Sequence, residues 1–154
     1  MTIAAKLDSL GIVLSTPAAP IAAYVSCVEA DGMLYLSGQL PFREDGSLIC
    51  GRLGDTLTVS EGSEAAHACA LMILAQVGAV AGRLDRVKRV VKLGVFVNAT
   101  ADFTDHPKVA NGASELMQAV FGDAGRHARS AVGVPSLPLG VAVEVDAVFA
   151  VEPD

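Results

Sequence analysis

The sequence predicts an α+β fold, a two-layer sandwich of one mixed β-sheet with two helices on one face. Three observations predict it. Two long stretches carry apolar residues at helical spacing. Shorter runs rich in Val, Leu and Ile lie before, between and after them. The resulting order, ββ-α-β-α-ββ, closes most simply as two layers. Composition sets the style of packing. Of 154 residues, 52% are hydrophobic and 18% charged, which excludes disorder. The length suits one domain over residues 1–154. There are 25 Ala and 20 Val against five Phe, two Tyr and no Trp, so the core is built from small side chains in close layers.

Thr2 to Leu10 reads as a short amphipathic helix, with Ile3, Leu7 and Leu10 on one side. Pro17 and Pro20 then break the chain. Tyr24–Glu29 and Met33–Ser37 are strands, and Asp31-Gly32 between them is a hairpin signal. Ser37-Gly38-Gln39-Leu40-Pro41 ends the second strand, and a turn-rich loop runs from Arg43 to Gly54. Thr58 with Glu61 fits a capping box that opens the first long helix. Ala66, Ala70, Ile73, Val77 and Val80 form its apolar face, and Leu71, Met72 and Leu74 widen that face.

Val87–Val97 is the next strand, with Val91, Leu93, Val95 and Val97 on one side and Lys88, Val90, Lys92 and Phe96 on the other. The second long helix starts near Asp105 and Pro107 and ends at Gly122. Its stripe is Val109, Ala113, Leu116, Met117, Val120 and Phe121. Ala128–Val134 and Val141–Val151 are the last strands. If the Val141, Val143 and Val145 side meets the helices, Ala142, Val148 and Ala150 face away from them. That face is too apolar to meet water and is inferred to be buried in an oligomer.

Charge narrows the partners. A net charge of −6 and a pI near 4.9 exclude nucleic acid as the main partner, because neutralising phosphates needs clustered Lys and Arg. No stretch of ~20 apolar residues is free of charges or turn signals, so no membrane span is expected. Met1–Gly11 lacks the apolar block of a secretory signal. Cys27, Cys50 and Cys69 show no C-x-x-C spacing and read as reduced thiols in a cytoplasm. His67, His106 and His127 fit no metal spacing and read as structural or solvated. No metal site is expected.

A few polar residues interrupt apolar strands. Arg129 lies in His127-Ala128-Arg129-Ser130-Ala131-Val132. It is either an edge residue facing solvent or paired with Glu144 or Asp146, or a guanidinium that grips a carboxylate. Glu144 interrupts Val141-Ala142-Val143 and Val145; it is either half of an ion pair or a carboxylate that holds water. Whether the two share a face depends on strand register. Asn111 lies on the helix side away from Val109, Ala113 and Leu116, where a solvated role is the simpler reading. Tyr24 either closes a pocket or packs, and Ser37-Gly38 either presents backbone donors or makes an ordinary turn.

These pieces resemble the RidA (YjgF) family, in particular a longer, divergent branch of it. The resemblance runs from about Pro17 to Val151. It is carried by Ser37-Gly38-Gln39-Leu40-Pro41, by Val95-Phe96-Val97 with Asp102-Phe103, and most specifically by Ala128-Arg129-Ser130, Leu137-Pro138 and Val143-Glu144-Val145. It implies a chorismate-mutase-like fold, a homotrimer with sites in clefts between subunits, and residues 1–16 as an N-terminal extension. It also implies an enamine/imine deaminase that converts reactive 2-imino acids to 2-keto acids and ammonia without a cofactor. By this resemblance Arg129 binds the substrate carboxylate and Glu144 holds the attacking water. Tyr24 walls the cleft, and Ser37, Gly38, Asn111, Ser130 and Ala131 line it. The chain departs from the family where many members have Cys, at Ala131, and before Tyr24, which follows Ile21-Ala22-Ala23 rather than Gly-Pro. Its Arg43–Leu57 loop also looks longer. Two other functions stand beside deamination: a non-catalytic module that binds a small carboxylate, and an endoribonuclease, which the acidic balance disfavours.

Overall fold

A computed structural model describes residues 1–17, 23–82 and 84–153. The elements are α1 (Ile3–Ser9), β1 (Cys27–Ala30), β2 (Met33–Gln39), α2 (Val59–Ala81), β3 (Val87–Asn98), α3 (His106–Phe121), β4 (Ala128–Val134) and β5 (Val143–Val151). The five strands form one sheet in the order β1-β2-β5-β3-β4. β3 and β4 run parallel, with α3 as their crossover, and the other neighbours pair antiparallel. The sheet is therefore mixed, and α2 and α3 cover one face of it, as the sequence predicts. The expected break at Pro20 lies outside the described residues.

Local chemistry accounts for the joints. Asp31 and Gly32 both take positive φ, 50° and 74°, as a tight hairpin turn requires. The Thr58 hydroxyl accepts the Glu61 N–H at 3.2 Å and caps α2. Arg86, almost fully buried, ties three segments together. Its Nη1 donates to the Ala81 carbonyl at 3.3 Å, and its Nη2 reaches Glu29 Oε1 at 3.0 Å and the Glu152 carbonyl at 2.8 Å. The end of α2, strand β1 and the chain after β5 are thereby joined.

The core lies between sheet and helices. Val143, Val145, Ala147, Phe149 and Val151 bury their side chains there, against Ile73, Leu74 and Val77 of α2 and Val109 and Met117 of α3. Small residues let the helices approach closely. By length and composition α2 could cross a bilayer, but most of its residues are buried in this fold. Val80, expected on its apolar face, is exposed near its end.

Three expectations are corrected. β1 starts at Cys27, and Tyr24 lies in a bend before it. β5 starts at Val143, and Ala142 before it bonds both to the loop after β2 and to the last residue of β3. The Ala142 N–H donates to the Ile49 carbonyl at 3.0 Å, and the Ala142 carbonyl accepts the Asn98 N–H at 2.9 Å. Ala142 is consequently buried rather than facing outward. Finally, β3 shifts register against β5 between Val87 and Arg89 and again between Val90 and Lys92. Each irregularity resets the alternation, so Val90 is fully buried on the core side with Leu93.

Candidate active site

Arg129 is the second residue of the edge strand β4. It pairs with Leu93 of β3, which pairs with Ala147 of β5. Both neighbours are buried beneath the helices, so Arg129 points to the helix side. Its Nη1 donates to Asn111 Oδ1 at 2.9 Å and to Ser114 Oγ at 3.0 Å. Asn111 and Ser114 are one turn apart on α3, which places both above the guanidinium. Arg129 thus pairs with neither Glu144 nor Asp146, and Asn111 holds the arginine rather than solvent alone.

Behind Ser114 stands His127. Its Nε2 lies 2.9 Å from Ser114 Oγ and its Nδ1 lies 2.6 Å from the Gly125 carbonyl. A carbonyl only accepts, so the hydrogen-bond pattern assigns the proton to Nδ1. In the neutral ring Nε2 then accepts the Ser114 hydroxyl. Sequence reasoning missed Ser114 and left His127 as structural or solvated. The available signals were spacings: Ser114 is three residues after Asn111 on one helix, and His127 two before Arg129. A cleft of about 220 Å³ opens here, lined by Ser114, Gln118, Gly125, Arg126, His127 and Arg129. Ala131 follows Arg129 on the same side of β4, partly buried against the core.

The remaining predicted residues lie elsewhere. Glu144 pairs with Phe96, which pairs with Val132, on the sheet face that the helices leave open. In the next row Asp146 pairs with Gly94 and Gly94 with Ser130. Between Leu36 and Gln39 the β2–β5 register slips, so Ser37 and Gly38 together span the position of Asp146. A Cβ at Gly38 would overlap the Glu144 carboxylate, and one at Gly94 would overlap that of Asp146. Both glycines make room for acids. The Ser37 hydroxyl donates to the Val25 carbonyl at 2.8 Å, tying the residue after the exposed Tyr24 to this end of the sheet. Within one chain, therefore, Arg129, Asn111 and Ala131 are together on the helix side. Glu144, Gly38 and Ser130 are on the other face.

Burial pushes the Glu144 carboxyl above its ordinary range, and the negative Asp146 beside it pushes further. Burial also raises Asp146, against the lowering effects of the Gly94 N–H and the Lys92 charge. A raised folded-state value means that the folded chain holds its proton where the unfolded chain has lost it. Stability then falls as pH rises from the ordinary glutamate range through the raised one. Glu144→Gln is expected to resist urea better than the parent chain at neutral pH, with the advantage fading on acidification. Urea melts at neutral and acidic pH check this; an equal advantage at both would contradict it.

Cys69 is a poor nucleophile. Cys69 is fully buried with Sγ 3.4 Å from the Val143 carbonyl, and burial first, then the Glu144 charge, drives its thiol well up. A larger groove of about 680 Å³ runs between residues 10–13 and the outer sides of α2 and α3. Glu44, Glu64 and Glu115 line it, a setting that repels an anion. The cleft at Arg129 is the better place for a carboxylate.

The comparisons with known proteins agree with this architecture. A family model described as "YjgF/chorismate_mutase-like, putative endoribonuclease" matches residues 4–150. Protein TCP17 of Trypanosoma cruzi is 56% identical over 146 residues, covering 94% of this chain and 91% of its own. A 2-iminobutanoate/2-iminopropanoate deaminase of Dermatophagoides farinae is 29% identical over 145 residues, covering 91% and 96%. The crystal structure of a protein of unknown function from Agrobacterium tumefaciens superposes with a TM-score of 0.89 at 40% identity, covering 97% of this chain and 92% of that one. With the family match spanning nearly the whole sequence and the fold shared at this level, the chain belongs to the YjgF/RidA family.

Proposed function

We propose that the chain hydrolyses reactive 2-imino and 2-enamino acids to 2-keto acids and ammonia. The geometry of Arg129 carries this reading. Its Nη1 is held by Asn111 and Ser114. Among the described residues, no hydrogen-bond partner occupies the Nε–Nη2 edge. That edge is the fork that takes a carboxylate through two parallel hydrogen bonds. An imine is already electrophilic, so fixing its acid group and placing water beside the carbon lowers the barrier by positioning. Water and imino acid balance keto acid and ammonia, so the reaction calls for no cofactor. The similarity to the Dermatophagoides farinae deaminase supports the substrate class.

Glu144 enters this reading through assembly. It faces away from Arg129 in one chain, so both serve one cleft only where the β4 edge of one copy meets the open sheet face of another. The exposed or half-buried Val132, Tyr35 and Val148 on that face suit such burial, and a homotrimer is the proposed form. In that cleft Glu144 holds and polarises the attacking water. Tyr24 walls the cleft; Ser37, Gly38, Ser130 and Ala131 line it beside Asn111. The test is to generate 2-aminoacrylate in situ and follow keto-acid release. Release faster than the spontaneous rate is expected; none above that rate, from folded protein, would overturn the reading. Ala131 favours a second reading, since it puts only a methyl group beside Arg129: a module that binds a small carboxylate without turnover. A keto acid that raises the melting temperature while no imine is turned over would support it.

A further inference from the structure

The hydrogen bonds behind Arg129 run in one direction. Arg129 Nη1 donates to Ser114 Oγ at 3.0 Å, Ser114 donates to His127 Nε2 at 2.9 Å, and His127 Nδ1 donates to the Gly125 carbonyl at 2.6 Å. We propose that Ser114 and His127 form a proton relay for the water that attacks at the Arg129 site. This rests on the imine-hydrolysis reading above.

Three features carry it. First, a hydroxyl has one hydrogen and two lone pairs. The hydrogen of Ser114 goes to His127 and one lone pair to Arg129, which leaves the second lone pair for a water in the adjoining cleft. Second, the ring can take a proton without losing a bond. As imidazolium it donates from both nitrogens, and the Gly125 carbonyl and Ser114 Oγ are already in place to accept. The opposite neutral tautomer would set a lone pair against that carbonyl. Third, the relay lies on the same side of the sheet as Arg129, whereas Glu144 of the same chain lies on the other. A base held by a third group and joined to a hydroxyl is the general arrangement for moving a proton on demand. The charged residues that line the cleft beside the ring are Arg129 on β4 and Arg126 in the turn before it, and Arg89 Nη2 of β3 donates to the Arg126 carbonyl at 2.9 Å. From α3 the ring meets the neutral Ser114 and Gln118, and Glu115 lines the groove on the far side of that helix.

The step balances. Water oxygen bonds to the iminium carbon, and the C=N π pair moves to nitrogen. The water proton passes to Ser114 Oγ as Ser114 passes its own to Nε2. The proton then returns through Ser114 to the amine nitrogen. The C–N bond breaks, the carbonyl forms, and the remaining hydroxyl proton leaves with ammonia as ammonium.

The test uses the full chain, its Ser114→Ala, His127→Gln and double variants, and 2-aminoacrylate generated in situ, with keto-acid release followed across pH. Each single variant is expected to lower kcat about 100-fold. KM should stay within a few-fold, because Asn111 still holds Arg129. The double variant should be no slower than the singles, since the pair acts as a unit. The dependence of the parent rate on pH should be altered in His127→Gln. Folded variants with the parent kcat and the parent pH profile would overturn the relay and leave the Arg129 reading standing. A parent chain without any acceleration would overturn both. If His127→Gln does not fold, Ser114→Ala decides by the same kcat criterion. Nitrogen NMR of the parent should place the ring proton on Nδ1, toward the Gly125 carbonyl, and the other tautomer would overturn the relay.

Discussion

Replacing Arg129 by Ala will lower kcat/KM for imine hydrolysis by roughly a thousandfold, with little loss of thermal stability. Two charge-assisted hydrogen bonds to the substrate carboxylate, at about 2 kcal/mol each, amount to about 4 kcal/mol. At 1.36 kcal/mol per decade this is about three decades. Stability is spared because the side chain sits on an edge strand and its removal leaves Asn111 and Ser114 within reach of solvent. Arg129→Lys should fall between, since it keeps the charge and loses the fork. Steady-state keto-acid release beside thermal melts separates the two effects. Undiminished kcat/KM in the alanine variant would remove Arg129 from its role.

The largest expected effect on folding comes from Gly112→Ala. Gly112 of α3 crosses α2 at Ser63, and a Cβ there would overlap the Ser63 carbonyl oxygen and fall 2.8 Å from both its carbon and its Oγ. The obstacle is mainly backbone, which cannot rotate aside. Alanine is the better helix former by about 1 kcal/mol. Overpacking costs about 1–3 kcal/mol and sometimes more. The steric cost wins here, because the two helices have to move apart. A net loss of about 2 kcal/mol is expected, lowering Tm by roughly 4–8 °C for a chain of this size. Gly78→Ala is the control. In α2 its nearest neighbour would be Leu84 Cγ at 3.7 Å, an ordinary contact, so only the propensity gain remains. Thermal melts of the two variants should move in opposite directions. A Gly112→Ala protein as stable as the parent would mean that the helices are less closely packed than this.

These two sites also mark what was legible in the sequence. The helices were, because stripes such as Val109, Ala113, Leu116 and Met117 are local periodic signals. The hairpin at Asp31-Gly32 and the Thr58 cap were legible as chemistry with one use. The abundance of alanine pointed to close layers, though not to the crossing of Gly112 and Ser63, which is a contact between distant segments. The site was legible only in part. Alternation tells which residues of one strand share a side, but the relation between strands depends on register. The slip at Ser37-Gly38 and the irregularities in β3 are invisible in the pattern. That is why the opposite faces of Arg129 and Glu144 could not be read. Ser114 and His127 were passed over for another reason. A polar residue on a helix and a histidine before a strand each look solvated alone, and only the folded geometry brings them behind the arginine.

The most direct measurement is a crystal structure of the chain with 2-oxobutanoate bound. Its carboxylate is expected on the Nε–Nη2 edge of Arg129, with Asn111 and Ser114 still holding Nη1. Its keto carbon should then lie one water away from Ser114 Oγ. Binding in the groove between residues 10–13 and the helices, or an Arg129 edge covered by protein while the acid sits elsewhere, would contradict it.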